Sequence, residues 1–194
     1  MHNEQNFQHR HNLKIINIRG GEVYASKAPV RIQTLLGSCV ATCLFDPVNY
    51  IGGMNHFLLP GKTHETELSA RYGINAMELL INTMMKLGAN RYELCAKIFG
   101  GGDVLQVKHP AATIGRTNIN FVKEFLTTEQ IPILAHHVGG NHGLIVHLCT
   151  DTFDVYVRTI HMEKFNRVHA KEMVYRNKLL DDINTRDSKN IEFF

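Results

Sequence analysis

The stretch Gly37–Ser38–Cys39 and the histidine at position 56 hold the residue types that covalent hydrolysis needs. A thiol is a nucleophile when a neighbouring imidazole lowers its pKa and carries protons for it. Glycine before such a cysteine permits a sharp backbone and close approach of a substrate. The backbone N–H groups of Ser38 and Cys39 could then point at a developing oxyanion. The competing reading is a buried core cysteine and an unrelated, hydrogen-bonded histidine.

The segment between the two residues decides whether they can meet. "CVATCLFDPVNYIGGMNH" is two apolar runs around "DPVN". Proline presets φ and Asp and Asn favour turns, so the segment reads as a hairpin. Centred on Pro47 and Val48, the hairpin sets Cys39 opposite His56, with Cβ atoms about 4.5–5.5 Å apart. A slip of one residue would turn one of the two side chains to the other face. Gly52 and Gly53 would clear space beside His56.

The remaining candidates read as structural. Cys43, Cys95 and Cys149 lie in "ATCLF", "ELCAKIF" and "VHLCT", apolar settings that suit core packing. No tight CxxC pair marks a zinc site, and a reducing cytoplasm argues against a disulfide framework. His136, His137, His142 and His147 cluster in sequence, but strand alternation sends His136 and His137 to opposite faces. No carboxylate or cysteine stands at ligand spacing near them, so they read as exposed or hydrogen-bonded.

One domain must position these residues. The chain has 194 residues with 44% hydrophobic and 20% charged, enough for a sizeable core. A net charge of +3 is too small to argue for nucleic acid. The polar start "MHNEQNFQHRHN" is no signal peptide, and no apolar run approaches the roughly 20 residues of a membrane helix. A cytoplasmic protein without membrane insertion is expected. Residues 1–12 read as a disordered polar tail, 13–160 as the domain, and 161–194 as a charged helix, from about Met162 to Asn184, and a tail.

Within the domain, "KIINI", "EVYAS", "VRIQTLLGSCVATCLFD", "YIGGMNHFLLP", "YELCAKIFGGG", "IPILAHHVGG", "GLIVHLCT" and "TFDVYVRTI" read as strands, the last two as a hairpin. Ala76, Leu80, Met84 and Leu87 have helical spacing, closed by Gly88 as a C-cap. "RTNINFVKEFLTTEQ" is a second helix with Phe121, Phe125 and Leu126 on one face.

The motifs "TLLGSCVATCLFDP", "IGGMNHFLLP", "RYGINAMELLINTMMKLGA", "AKIFGGG", "IGRTNINF" and "VGGNHG" occur in that order. Together they resemble the CheD family of chemoreceptor glutamine deamidases over roughly residues 22–158. The resemblance implies an α+β fold of stacked mixed β-sheets with outer helices, shared with some glutamine-deamidating toxins. It implies a cysteine hydrolase that turns receptor glutamines into glutamates and needs no cofactor or metal. The family's catalytic cysteine falls on Cys39 and its histidine on His56. A threonine upstream completes the family triad, which points to Thr34, with Gln33 as the rival if the register shifts by one. Hydrolysis of glutamyl methyl esters is a further implied activity. So is docking on a CheC-type phosphatase, and a binding module that regulates that phosphatase or a receptor is the alternative to the enzyme. Where many relatives carry arginine after the "GGxxG" stretch, this chain has Leu144.

Overall fold

The computed structural model describes residues 13–59, 66–103 and 114–160, together with 174 and 177. The expected polar tail and nearly all of the expected C-terminal helix lie outside the described residues. Nine strands form two mixed sheets. The first has the order β1 (Lys14–Asn17), β3 (Val30–Leu36), β8 (Gly143–Cys149), β9 (Val155–Ile160). The second has the order β2 (Val23–Ser26), β5 (Ile51–Phe57), β4 (Val40–Asp46), β6 (Cys95–Gly100), β7 (Ile133–Val138). Two helices, α1 (Thr66–Lys86) and α2 (Ile114–Thr128), pack on the second sheet. The protein is thus a single α+β domain of stacked sheets with outer helices, and β8 and β9 form the expected antiparallel hairpin.

Two cores follow from strand alternation. Val40, Leu44, Ile51 and Phe57 face the helices and meet Met77, Leu80, Val122 and Leu126. The alternate positions Cys39, Ala41, Cys43, Met54 and Leu58 face the first sheet and meet Ile32, Leu36, Val146 and Leu148. Central strands covered on both sides are apolar throughout, which explains why β4 and β5 are buried at every position. Leu144 belongs to the inter-sheet core.

Helix α1 ends where Gly88 adopts φ +101, the left-handed conformation glycine tolerates. Gly88 N donates to Met85 O and Ala89 N to Met84 O, the paired bonds of a Schellman cap. Its buried face is Met77, Leu80, Ile81 and Met84, while Leu87 is 40% exposed and lies past the helix end. Arg91 ties the helices together through Glu78 of α1 at 2.9 Å and Glu129, just beyond α2, at 2.6 Å. Phe121 of α2 packs edge-on against Phe57, with ring centroids 5.9 Å apart.

The β4–β5 hairpin is wider than expected. Asp46 pairs with Ile51, which leaves a four-residue loop, and Tyr50 takes φ 54. Asp46 closes the loop itself, its Oδ1 accepting from Val48 N and Asn49 N at 2.9 Å each. Gly52 and Gly53 do not clear space beside His56. A side chain at Gly53 would strike Ala25 and Leu80, and one at Gly52 would press on Thr150, so both glycines serve close packing.

Candidate active site

The chain leaves the first sheet at Leu36 and enters the second at Val40. Gly37–Ser38–Cys39 is the connection between sheets, so Cys39 sits at a corner rather than within a strand. The hairpin pairs Ala41, not Cys39, with His56. The expected register was therefore two residues off, because the turn takes four residues and not two. A shift of two preserves the face, since side chains alternate with period two. Cys39 is diagonal to His56 on the same, inter-sheet side, a relation that longer side chains bridge.

Thr34 approaches from the other sheet. On β3 the even positions Val30, Ile32, Thr34 and Leu36 are buried and the odd ones only partly so. Thr34 Oγ1 lies 2.8 Å from His56 Nδ1. Gln33 points to the opposite face of β3, where it pairs across the ladder with His147. Of the two rival residues, Thr34 is the one that meets the imidazole.

The hydrogen atoms in this contact can be assigned. Thr34 has one hydroxyl proton, and Oγ1 also lies 2.8 Å from the carbonyl oxygen of Ile18. A carbonyl only accepts, so the hydroxyl donates to Ile18. Nδ1 then carries hydrogen and donates to Thr34, and in the neutral ring Nε2 holds the lone pair. Nε2 is buried. The backbone of His56 is fixed too: its N donates to Glu22 O at 3.1 Å, and its O accepts from Gly21 N at 2.7 Å.

The nucleophile corner is held by its carbonyls. Gly102 N donates to Gly37 O at 2.8 Å and Gly101 N to Cys39 O at 2.7 Å. Between them, Asn118 Nδ2 donates to Ser38 O at 2.9 Å. Gly100 and Gly101 have φ +101 and +66, and a side chain at Gly100 would collide with Cys39 O. Gly139 N donates to Gly100 O, and Asp103 N to Gly140 O, so the loop at Gly139 and Gly140 joins the same rim. Asn118 is a site residue that pattern reading missed. Its signal was present, a polar residue amid the buried positions of α2, but nothing local says what it faces.

The other thiols are unsuited to nucleophilic work. Burial pushes the Cys43 thiol far up, only partly opposed by Lys97. Burial, with Glu93 and Asp46 nearby, also raises Cys95, and Cys149 is buried. His136 and His137 are exposed on β7. His147 is held below the usual histidine range by burial and by Arg31 and Arg158. Among the described residues no helix is long and apolar enough to cross a membrane.

Comparison with known proteins gives a consistent set of relatives. The CheD family, described as chemotactic sensory transduction, matches residues 58–159. A probable chemoreceptor glutamine deamidase CheD 2 of Chromobacterium violaceum is 37% identical over 197 residues, spanning 100% of this chain and 96% of its own. One of Shewanella oneidensis, CheD 1, is 44% identical over 84% of this chain and 81% of its own. A CheD 1 of Geobacter sulfurreducens is 40% identical over 82% of this chain and 83% of its own.

Proposed function

The chain belongs to the CheD family, and from that premise we propose that it hydrolyses glutamine side chains of chemoreceptors to glutamate. The single observation that carries the site assignment is the Thr34–His56 contact. It leaves the Nε2 lone pair on the inter-sheet side, the side that Cys39 also faces.

Nε2 takes the Cys39 proton, and the thiolate attacks the carboxamide carbon. The carbonyl π pair moves to oxygen, where the Ser38 and Cys39 backbone N–H groups stabilise it. As the tetrahedral species collapses, the imidazolium protonates the nitrogen and ammonia leaves, giving a thioester. Neutral His56 then draws a proton from water, whose oxygen attacks the thioester, and glutamate departs as the thiol re-forms. Thr34 accepts from Nδ1–H throughout and keeps the ring in the useful tautomer. No metal or cofactor enters this chemistry. A glutamyl methyl ester would pass through the same thioester, with methanol leaving in place of ammonia.

The rim suits a substrate glutamine carried on a receptor helix. The glycine-rich loops at 100–102 and 139–140 lie beside the nucleophile corner and present little side-chain relief. A broad helical surface can approach such a rim more closely than a deep pocket would allow.

The test is intact-mass measurement of a receptor cytoplasmic fragment incubated with the protein and with Cys39→Ser. The expected result is the mass gain of an amide-to-acid change with the first and none with the second. No conversion by the unaltered protein would refute the deamidase and favour the CheC-type docking role. Substantial conversion by folded Cys39→Ser would remove the thioester.

A further inference from the structure

Asn118 has no contact with a reacting group, yet it is a fully buried polar side chain with both ends committed. It is 0% exposed. Leu59 N donates to its Oδ1 at 2.8 Å, and its Nδ2 donates to Ser38 O at 2.9 Å. The amide orientation is forced, because an N–H can only donate and a carbonyl can only accept. Asn118 thus links helix α2, the end of β5 beyond His56, and the nucleophile corner.

We propose that Asn118 is a positioning residue that aims the Cys39 N–H at the oxyanion, by holding the Ser38 carbonyl toward helix α2. In a trans peptide the C=O and the following N–H point in opposite directions. Helix α2 covers the outer face of the second sheet, where Val122 and Leu126 meet Val40 and Leu44. With the Ser38 carbonyl turned to that side, the Cys39 N–H points back to the inter-sheet side. The Cys39 thiol and His56 face the same way, so the substrate carbonyl arrives there. The bonds from Gly102 N to Gly37 O and from Gly101 N to Cys39 O brace the planes on either side. Asn118 supplies the one brace on the plane between them, and it is a side chain, so it can be tested alone.

This inference rests on the deamidase reading and adds a division of labour to it. Thr34 and His56 make the thiolate, whereas Asn118 prepares the site for the oxyanion. Alkylation by iodoacetamide separates the two, because displacement of iodide by the thiolate creates no oxyanion. Two variants are needed. Asn118→Leu removes both hydrogen bonds. Asn118→Asp keeps the shape and the acceptor for Leu59 N but loses the donor to Ser38 O, and it decides alone if Asn118→Leu does not fold.

The expected result is folded protein whose deamidation kcat on the receptor fragment falls at least about tenfold, toward the hundredfold or more that losing an oxyanion donor outright costs. KM should change little, since the interaction strengthens only as charge develops. The rate and pH profile of Cys39 alkylation should match the unaltered protein. Unchanged kcat, a loss confined to KM, alkylation that falls with kcat, or failure of both variants to fold would each overturn the proposal. Absence of deamidation by the unaltered protein would instead refute the activity on which it rests.

Discussion

Replacing Thr34 by valine removes one oxygen and keeps the branched shape of the side chain. Two buried groups lose their partner, the Ile18 carbonyl and the Nδ1–H of His56. A buried group left unsatisfied costs about 1–3 kcal/mol, so the fold should lose about 2 kcal/mol or more from the pair. Only the His56 loss bears on rate. At about 1–3 kcal/mol it predicts a fall of roughly 5- to 150-fold in kcat. Without an acceptor at Nδ1 the ring can move its proton to Nε2, where it can no longer receive one from the thiol. The hydroxyl also binds the charged ring more strongly than the neutral one. Its loss therefore disfavours the imidazolium–thiolate pair, and the pH midpoint of Cys39 alkylation should move up. The assay is deamidation of a receptor fragment at saturating concentration, with the alkylation pH profile and thermal unfolding alongside. Gln33→Ala is the control. Gln33 faces away from His56, so its effect should stay within about 0.5 kcal/mol. A Thr34→Val protein with unaltered rate and alkylation profile would refute the reasoning. So would a Gln33→Ala protein that is the more damaged of the two.

Cysteine reactivity should single out one residue. Limited iodoacetamide followed by peptide mapping is expected to modify Cys39 before Cys43 or Cys95, whose thiols are held up by burial, and before buried Cys149. Prior labelling of Cys43 would contradict the assignment. Asp46 should matter to stability and not to chemistry. Burial alone would raise its carboxyl, but the Asn49 side chain and the backbone N–H groups of Asn90, Asn49 and Val48 outweigh burial and hold it low. A depressed folded-state pKa gives stability that is full above the ordinary carboxylate value of about 3.9 and is lost as pH falls through the folded value. Asp46→Asn should therefore destabilise at neutral pH, and the gap from the unaltered protein should narrow in acid. A gap in urea midpoint that widens in acid would contradict this.

Much of the architecture was legible because it depends on local period. Alternation along "VRIQTLL" and "IGGMNHF" assigned faces, and the spacing of Leu80 and Met84 with Gly88 beyond assigned a helix and its end. The pairing of Cys39 with His56 on one face survived a register error, because the error was an even number of residues. The width of the turn was not legible. Asp46 and a left-handed Tyr50 set it, and four-residue and two-residue closures both suit "DPVN". The purpose of Gly52 and Gly53 was misjudged for a similar reason, since what a missing side chain avoids depends on the opposite layer.

By itself the sequence determined which atoms could react: a thiol after a glycine, an imidazole within strand reach, and a hydroxyl on the strand before. Only tertiary structure decided how they are held. Leu36 ends one sheet and Val40 begins the other, so the orienting threonine and the histidine it orients lie in different layers. Asn118 reaches Ser38 from a helix far along the chain. Periodicity describes neighbours within one element. It carries no information about which side chains two packed layers bring to the same corner, because that depends on how the layers stack and where the chain crosses between them.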